Sequence, residues 1–337
     1  DFKPDFKAVK ESLAPSAFKK FGPIGGLTAL GLYGLDKAGF QNGIYSRVIV
    51  TATGQTDSGF DITGSYTLTR DCRQDTDNCG VSANENSIAF GGAFGTIAFG
   101  ETGTVGTSMH SRMTAGIPTA EPDGLLYTQF ITTDGDNTYT GPNETKYATN
   151  PVTLKYFSNS YEGFSLGVSY TSNSVDDASN GSGNDGQVND YTSGHFNDLT
   201  EVVLAYSGEF DGIGIGATYG YTAGNAGTQG TSAYNDLSEN TYSITVSYEG
   251  FSADYRSGDR GDAGRIKNDG SGGQEYASYC AMYSSGPFAV GYCEEDSDFT
   301  TAAAGVNNQS TQVVSAGYTL GGGAALEVAF FDFEQTL

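Results

Sequence analysis

NSIAFGGAFGTIAFGET, residues 86–102, decides how the rest of the chain is read. Large apolar residues stand two apart in it: Ile88 and Phe90, then Ile97 and Phe99. Ala89, Gly91, Ala98 and Gly100 fill the alternate positions. Period two is the mark of a half-buried strand, and Ala93-Phe94-Gly95 supplies a tight corner between the two runs. Ser87–Ala93 and Gly95–Glu101 therefore read as one hairpin. Residues 102–150 then show no alternation until the extended pair Asn150-Pro151. A structureless stretch far longer than about 12–15 residues is uncommon in a compact domain unless it serves a function. The expectation is a wall of strands built to hold this loop inside itself.

Outward from the hairpin the same scheme repeats. Period-two runs cover Leu27–Leu35, Ile44–Thr53 and Phe60–Thr69 before it. After the loop come Val152–Ser158, Phe164–Thr171, Leu199–Ser207, Ile213–Tyr221, Tyr242–Tyr248, Phe251–Ser257, Tyr276–Ser284, Phe288–Glu294, Thr311–Thr319 and Ala325–Phe333, which makes fifteen strands. Connections after even-numbered strands are tight, such as Glu249-Gly250. Those after odd-numbered strands read as long, acidic and rich in Gly, Ser and Asn. Long loops at one end and short turns at the other are the pattern of a transmembrane antiparallel up-and-down β-barrel. Closure calls for an even count, so sixteen strands are expected, of which fifteen are readable.

The two faces agree with that architecture. Phe164, Leu166, Val168 and Tyr170 alternate with Ser165, Gly167, Ser169 and Thr171. Tyr242, Ile244, Val246 and Tyr248 alternate with Ser243, Thr245 and Ser247. A soluble sandwich would bury the same apolar face. Tyrosine position separates the two. Tyr156, Tyr170, Tyr206, Tyr248, Tyr283 and Tyr318 lie near strand ends, where an interfacial aromatic girdle sits, rather than mid-strand.

Composition sets outer bounds. The chain has 337 residues, with Lys+Arg 16, Asp+Glu 40 and a net charge of −24. Such acidity repels phosphates and excludes nucleic acid as a partner, while favouring cations and solubility. No apolar run reaches the roughly 18–20 residues of a membrane-spanning helix, and a strand needs only about 9–11, half of them apolar. The chain begins DFKPDFK with no visible signal peptide, for which a mature, processed start is one explanation. Residues 1–22 hold Lys3, Lys7, Lys10, Lys19 and Lys20 and read as a basic arm, either a periplasmic tail or a plug against an acidic lumen. Residues 23–337 read as one barrel.

Cys72 and Cys79 bracket a polar loop; Cys280 and Cys293 flank the corner Ser285-Gly286-Pro287 and fall opposite each other on one face. Both disulfides are feasible and point to an oxidising compartment. Neither pair has zinc-site spacing. His110 and His195 lie in unrelated loops and are expected at the solvent. Ser108, His110 and Ser111 have no third residue to orient them, so no hydrolase is read here. The clusters Asp176-Asp177, Glu294-Glu295-Asp296 and Asp259/Asp262 read as solvated surface. They would hold Ca²⁺ loosely at most or bridge lipopolysaccharide through it; no cofactor or specific metal site is expected.

YSRVIVTATGQTDSGFDITGSY, SIAFGGAFGTIAFGETG, NPVTLKYFSNSYEGFSLGVSY and AGYTLGGGAALEVAFF, spread over residues 27–333, resemble the general diffusion porins of Gram-negative bacteria, in particular the alphaproteobacterial type. The resemblance implies a homotrimeric sixteen-stranded barrel of the outer membrane, in contact with its lipid and lipopolysaccharide. Its third surface loop, here residues 102–150, folds inward and narrows a channel for ions and small hydrophilic solutes. It also implies acidic loop residues facing basic wall residues. For the loop these are Glu121, Asp123, Asp134 and Asp136. For the wall, alternation points Arg47, Lys155 and Arg256 into the lumen, because Val48, Tyr156 and Tyr255 beside them face lipid, where a charge would be costly. The acidity favours a weak cation preference. A barrel that does not conduct and acts as an adhesin or structural protein through its long loops is the alternative.

Overall fold

The structure, a computed structural model, describes residues 29–36, 39–71, 81–110, 152–173, 196–226, 228–229, 232–270, 272–301, 305–321 and 324–336. Arm residues 1–22, the Cys72–Cys79 loop and loop residues 111–150 lie outside the described residues.

The strands are β1 (Ala29–Asp36), β2 (Gly39–Gln55), β3 (Asp61–Asp71), β4 (Val81–Gly92), β5 (Gly95–Glu101), β6 (Val152–Phe157), β7 (Phe164–Asn173), β8 (Asn197–Phe210), β9 (Ile213–Asn225), β10 (Thr228–Gln229), β11 (Ser232–Ala233), β12 (Leu237–Tyr248), β13 (Phe251–Gly261), β14 (Gly272–Ser285), β15 (Phe288–Thr301), β16 (Gly305–Gly321) and β17 (Ala324–Thr336), with one short helix, α1 (Val105–Met109). All but β10 and β11 form a single fifteen-stranded antiparallel sheet in which each strand pairs with its chain neighbour. β10 and β11 make a separate ribbon that period-two reading did not find. Among the described residues no ladder joins β1 to β17, and the expected sixteenth strand is not among them.

The hairpin read from Ser87–Glu101 is present as β4 and β5, with Ile88 facing Phe99 and Phe90 facing Ile97. Acid-glycine pairs build three two-residue turns. Glu162-Gly163, Asp211-Gly212 and Glu249-Gly250 carry φ of 49° and 87°, 51° and 80°, 45° and 86°. Positive φ at both positions is the type I′ turn, whose twist matches that of the strands it joins. Two connections correct the expected loop pattern. β1 and β2 are separated only by residues 37–38, and β15 and β16 only by 302–304. Polar stretches read as loops there continue the ladder, because main-chain pairing does not need apolar side chains on both faces.

The outer face carries the apolar side chains, and among the described residues nothing covers it. Leu204, Val314 and Phe330 are 48%, 54% and 72% exposed, and no second sheet packs on them. Aromatic pairs ring the short-turn end: Phe164 with Tyr206 at 4.9 Å, Phe251 with Tyr283 at 4.4 Å, Phe288 with Tyr318 at 4.7 Å. Nearer the other end Tyr219 and Tyr242 pair at 5.3 Å, and the Tyr219 hydroxyl donates to Asn240. From Phe251 to the exposed Asp259 the outer face of β13 runs about 27 Å along the strand at about 3.4 Å per residue, or about 20 Å along a membrane normal at a tilt near 40°. That is close to the roughly 25 Å apolar band of an outer-membrane barrel. Oil outside and polar side chains inside is the reverse of a globule.

Candidate functional site: the inner wall and the inward loop

β5 and β6 have 7 and 6 residues, whereas β7 onward in the large sheet have 10–17. The short strands bring the start of the 102–150 loop down to mid-wall, where it turns inward. α1 packs against β6, β7 and β8 from the inside. Val105 is fully buried, and so is Val203 of β8. The wall is hollowed to receive this turn. A methyl group at Gly167 would stand 2.2 Å from Met109 Sδ, and one at Gly220 would stand 2.6 Å from His110 Nε2.

One inward row of side chains crosses the wall where α1 lies. The registers place Lys155 beside Ser169, Ser169 beside Glu201, Glu201 beside Thr222 and Thr222 beside Glu239. All five are buried. Lys155 Nζ donates to Gly103 O at 2.9 Å. Ser169 Oγ accepts the N–H of Val105 at 3.3 Å, and Glu201 Oε2 accepts that of Gly106 at 2.6 Å. Thr222 Oγ1 donates to Glu201 Oε1 at 3.2 Å. At the far end Arg260 Nε meets Glu239 Oε1 at 3.2 Å, both side chains being 1% exposed, and Tyr276 donates to the same oxygen at 2.8 Å. The first amides of a helix have no partner within it. Here Thr104 at the N-cap makes no side-chain cap bond, and wall residues of β7 and β8 take that role.

A second row passes through the end of the helix. His110 Nδ1 is hydrogen-bonded to Thr218 Oγ1 at 2.7 Å, and Thr218 to Ser243. Ser243 stands in register with Arg256, Arg256 with Ser278 and Ser278 with Glu295. Arg256 is thus two strands from the anchor of His110. Beside it Asp254 Oδ2 accepts from Thr245 Oγ1 at 2.7 Å.

Of the expected site residues, the structure therefore brings Lys155 onto the loop backbone and Arg256 into the row that holds the end of α1. Arg47 stands in β2 opposite Thr69, and its side chain lies outside those described. Glu121, Asp123, Asp134 and Asp136 lie outside the described residues. Cys280 and Cys293 are bonded and lie in direct register, packed with Val313 on the inner face of β14–β16. Cys72 and Cys79 lie outside the described residues. Two expectations are overturned. His110 is not at the solvent but 7% exposed, because Gly220 leaves its ring a seat in the wall. Glu295 is not surface but 1% exposed, because β15 runs on past it with the inward alternation intact. Sequence reading also missed Glu201, Glu239 and Arg260. Glu201 was legible by parity, since Val202, Leu204 and Tyr206 face outward. The other two lie where β12 and β13 extend beyond the apolar runs.

A single antiparallel wall that is apolar outside and polar inside, with a loop helix capped by the inner surface, defines an outer-membrane β-barrel with an inward loop. Residues 24–336 match the model of the Gram-negative porin family, and the chain belongs to that family. No curated protein matches it in sequence. Its fold is similar to that of a loop L8 deletion mutant of OmpT, an outer membrane protein of Vibrio cholerae, at 12% identity and a TM-score of 0.58, covering 91% of this chain and 90% of that one. It is likewise similar to a substituted Rh. blastica porin, at 14% identity and a TM-score of 0.54, covering 88% and 87%. The protein is a diffusion channel of the bacterial outer membrane.

Proposed function

We propose that this porin passes ions and small hydrophilic solutes without covalent chemistry, with a weak preference for cations, as a homotrimer in contact with lipid and lipopolysaccharide. The observation that carries the reading is the loop helix clamped to the inner wall by Lys155, Ser169, Glu201 and Thr218. A segment fixed inside the wall narrows the passage, and a narrow polar passage selects by width and by its field. We assign Arg256 to the narrowest level, opposite the loop acids Glu121, Asp123, Asp134 and Asp136. Arg47 is assigned to the same basic wall, and Lys155 to the loop backbone. The cation preference follows from the −24 net charge. Any divalent ion such as Ca²⁺ is held loosely at surface acids.

The test is planar-bilayer recording of the purified protein under a KCl gradient. Conductance arriving in groups of three equal steps, with a reversal potential of the cation-selective sign, is expected. Anion selectivity would remove the charge argument, and a folded protein that never conducts would favour a closed adhesin barrel.

A further inference from the structure

We propose that Glu201 is the positioning residue of the pore. Through α1 it holds the loop against the wall, and it thereby sets the open cross-section without itself meeting the permeating ions. This rests on the channel reading above and adds a residue to it. Glu201 is 1% exposed, so water and ions do not reach its carboxylate. Both of its oxygens are engaged, Oε2 with the Gly106 N–H at 2.6 Å and Oε1 with the Thr222 hydroxyl at 3.2 Å. A side-chain oxygen at the first turn of a helix satisfies N–H groups that have no partner within the helix. A helix of five residues does not persist on its own, so what fixes α1 is the wall.

The loop side of the contact is shaped for this carboxylate. A Cβ on Gly106 would stand 2.2 Å from Glu201 Oε1, so any larger residue there displaces the carboxylate from its present contact. The anchors on either side differ in kind. Lys155 reaches a carbonyl before the helix, and His110 follows it. Glu201 is the one described side chain whose two oxygens join the helix's first turn to the neighbouring strand β9.

Three variants test this: Glu201→Gln, Glu201→Ala and Gly106→Ala. Each is checked for heat-modifiable migration as a measure of folding. Three quantities are read: amide exchange of residues 102–110 by mass spectrometry, single-channel conductance, and the reversal potential under a KCl gradient. Glutamine keeps an oxygen for Gly106 and an N–H for Thr222. The expectation for Glu201→Gln is therefore wild-type exchange and wild-type conductance. Glu201→Ala and Gly106→Ala are expected to speed exchange by about tenfold, the factor a lost buried hydrogen bond of ordinary strength produces, and to change the conductance step. Gly106→Ala leaves the barrel strands untouched and stays informative if Glu201→Ala does not fold. The proposal is overturned if both alanine variants exchange and conduct like wild type. It is also overturned if Glu201→Gln shifts ion selectivity as far as Glu201→Ala does, since the carboxylate would then act by its charge on the ions. Exchange is read whether or not the protein conducts, so a wild type without conductance sinks the channel reading alone.

Discussion

Lys155 Nζ donates to a loop carbonyl and is 8% exposed, so substituting it acts on the loop before it acts on ions. Lys155→Met keeps the length and removes a charge-assisted hydrogen bond worth about 1.5–3 kcal/mol. The expected outcome is noisier single-channel current with a small change in selectivity, read by bilayer recording. Arg256 differs. It sits in the row through Ser243 and Thr218, beyond the end of α1. Arg256→Glu is expected to move the reversal potential further toward cations with the current noise unchanged. No movement would take Arg256 out of the narrowest level.

At the scale of elements, the type I′ turns and the lipid-facing strands carry the stability. Gly250 has φ 86°, and a Cβ on it would stand 2.4 Å from Ser284 O. Gly250→Ala is expected to lower the urea midpoint of the folded barrel by an amount equivalent to about 1–2 kcal/mol, through strain and the close approach together. Leu204 faces outward in mid-strand at 48% exposure. Leu204→Arg is expected to cost about 2–4 kcal/mol, the range for a basic residue at the bilayer midplane, measured by reversible folding into lipid vesicles. The Cys280–Cys293 bond spans 13 positions across a hairpin already held by its ladder. Replacing both cysteines with alanine is expected to cost up to about 3 kcal/mol, most of it through the unfolded chain, measured by the same titration.

For the whole molecule, −24 charges spread over wall and loops act on ions through a field that salt screens. The screening length falls from about 10 Å at 0.1 M to about 3 Å at 1 M. Cation preference is therefore expected to weaken as the salt on both sides rises, while conductance per ion stays in proportion. A preference that persists at 1 M would assign selection to close contacts such as the Arg256 row.

Strand existence, alternation and the identity of the outer face were readable from residues alone, because every second side chain must match its solvent and lipid tolerates only one pattern. Strand ends were not, since polar residues extend a ladder as readily as apolar ones do; β15 and β16 show it, and with them Glu295, Glu239 and Arg260 stayed hidden. The direction of Lys155 and Arg256 followed from parity, but their partners did not. Register between strands is set by turn geometry and by the whole sheet, and it alone aligns Lys155, Ser169, Glu201, Thr222 and Glu239 in one row. The seat of His110 had no local signal, because Gly220 lies 110 positions further along the chain. Sequence determined a barrel with an inward loop; tertiary structure decided what grips that loop, because a cap borrowed from another strand is a property of proximity in space and leaves no spacing in the chain.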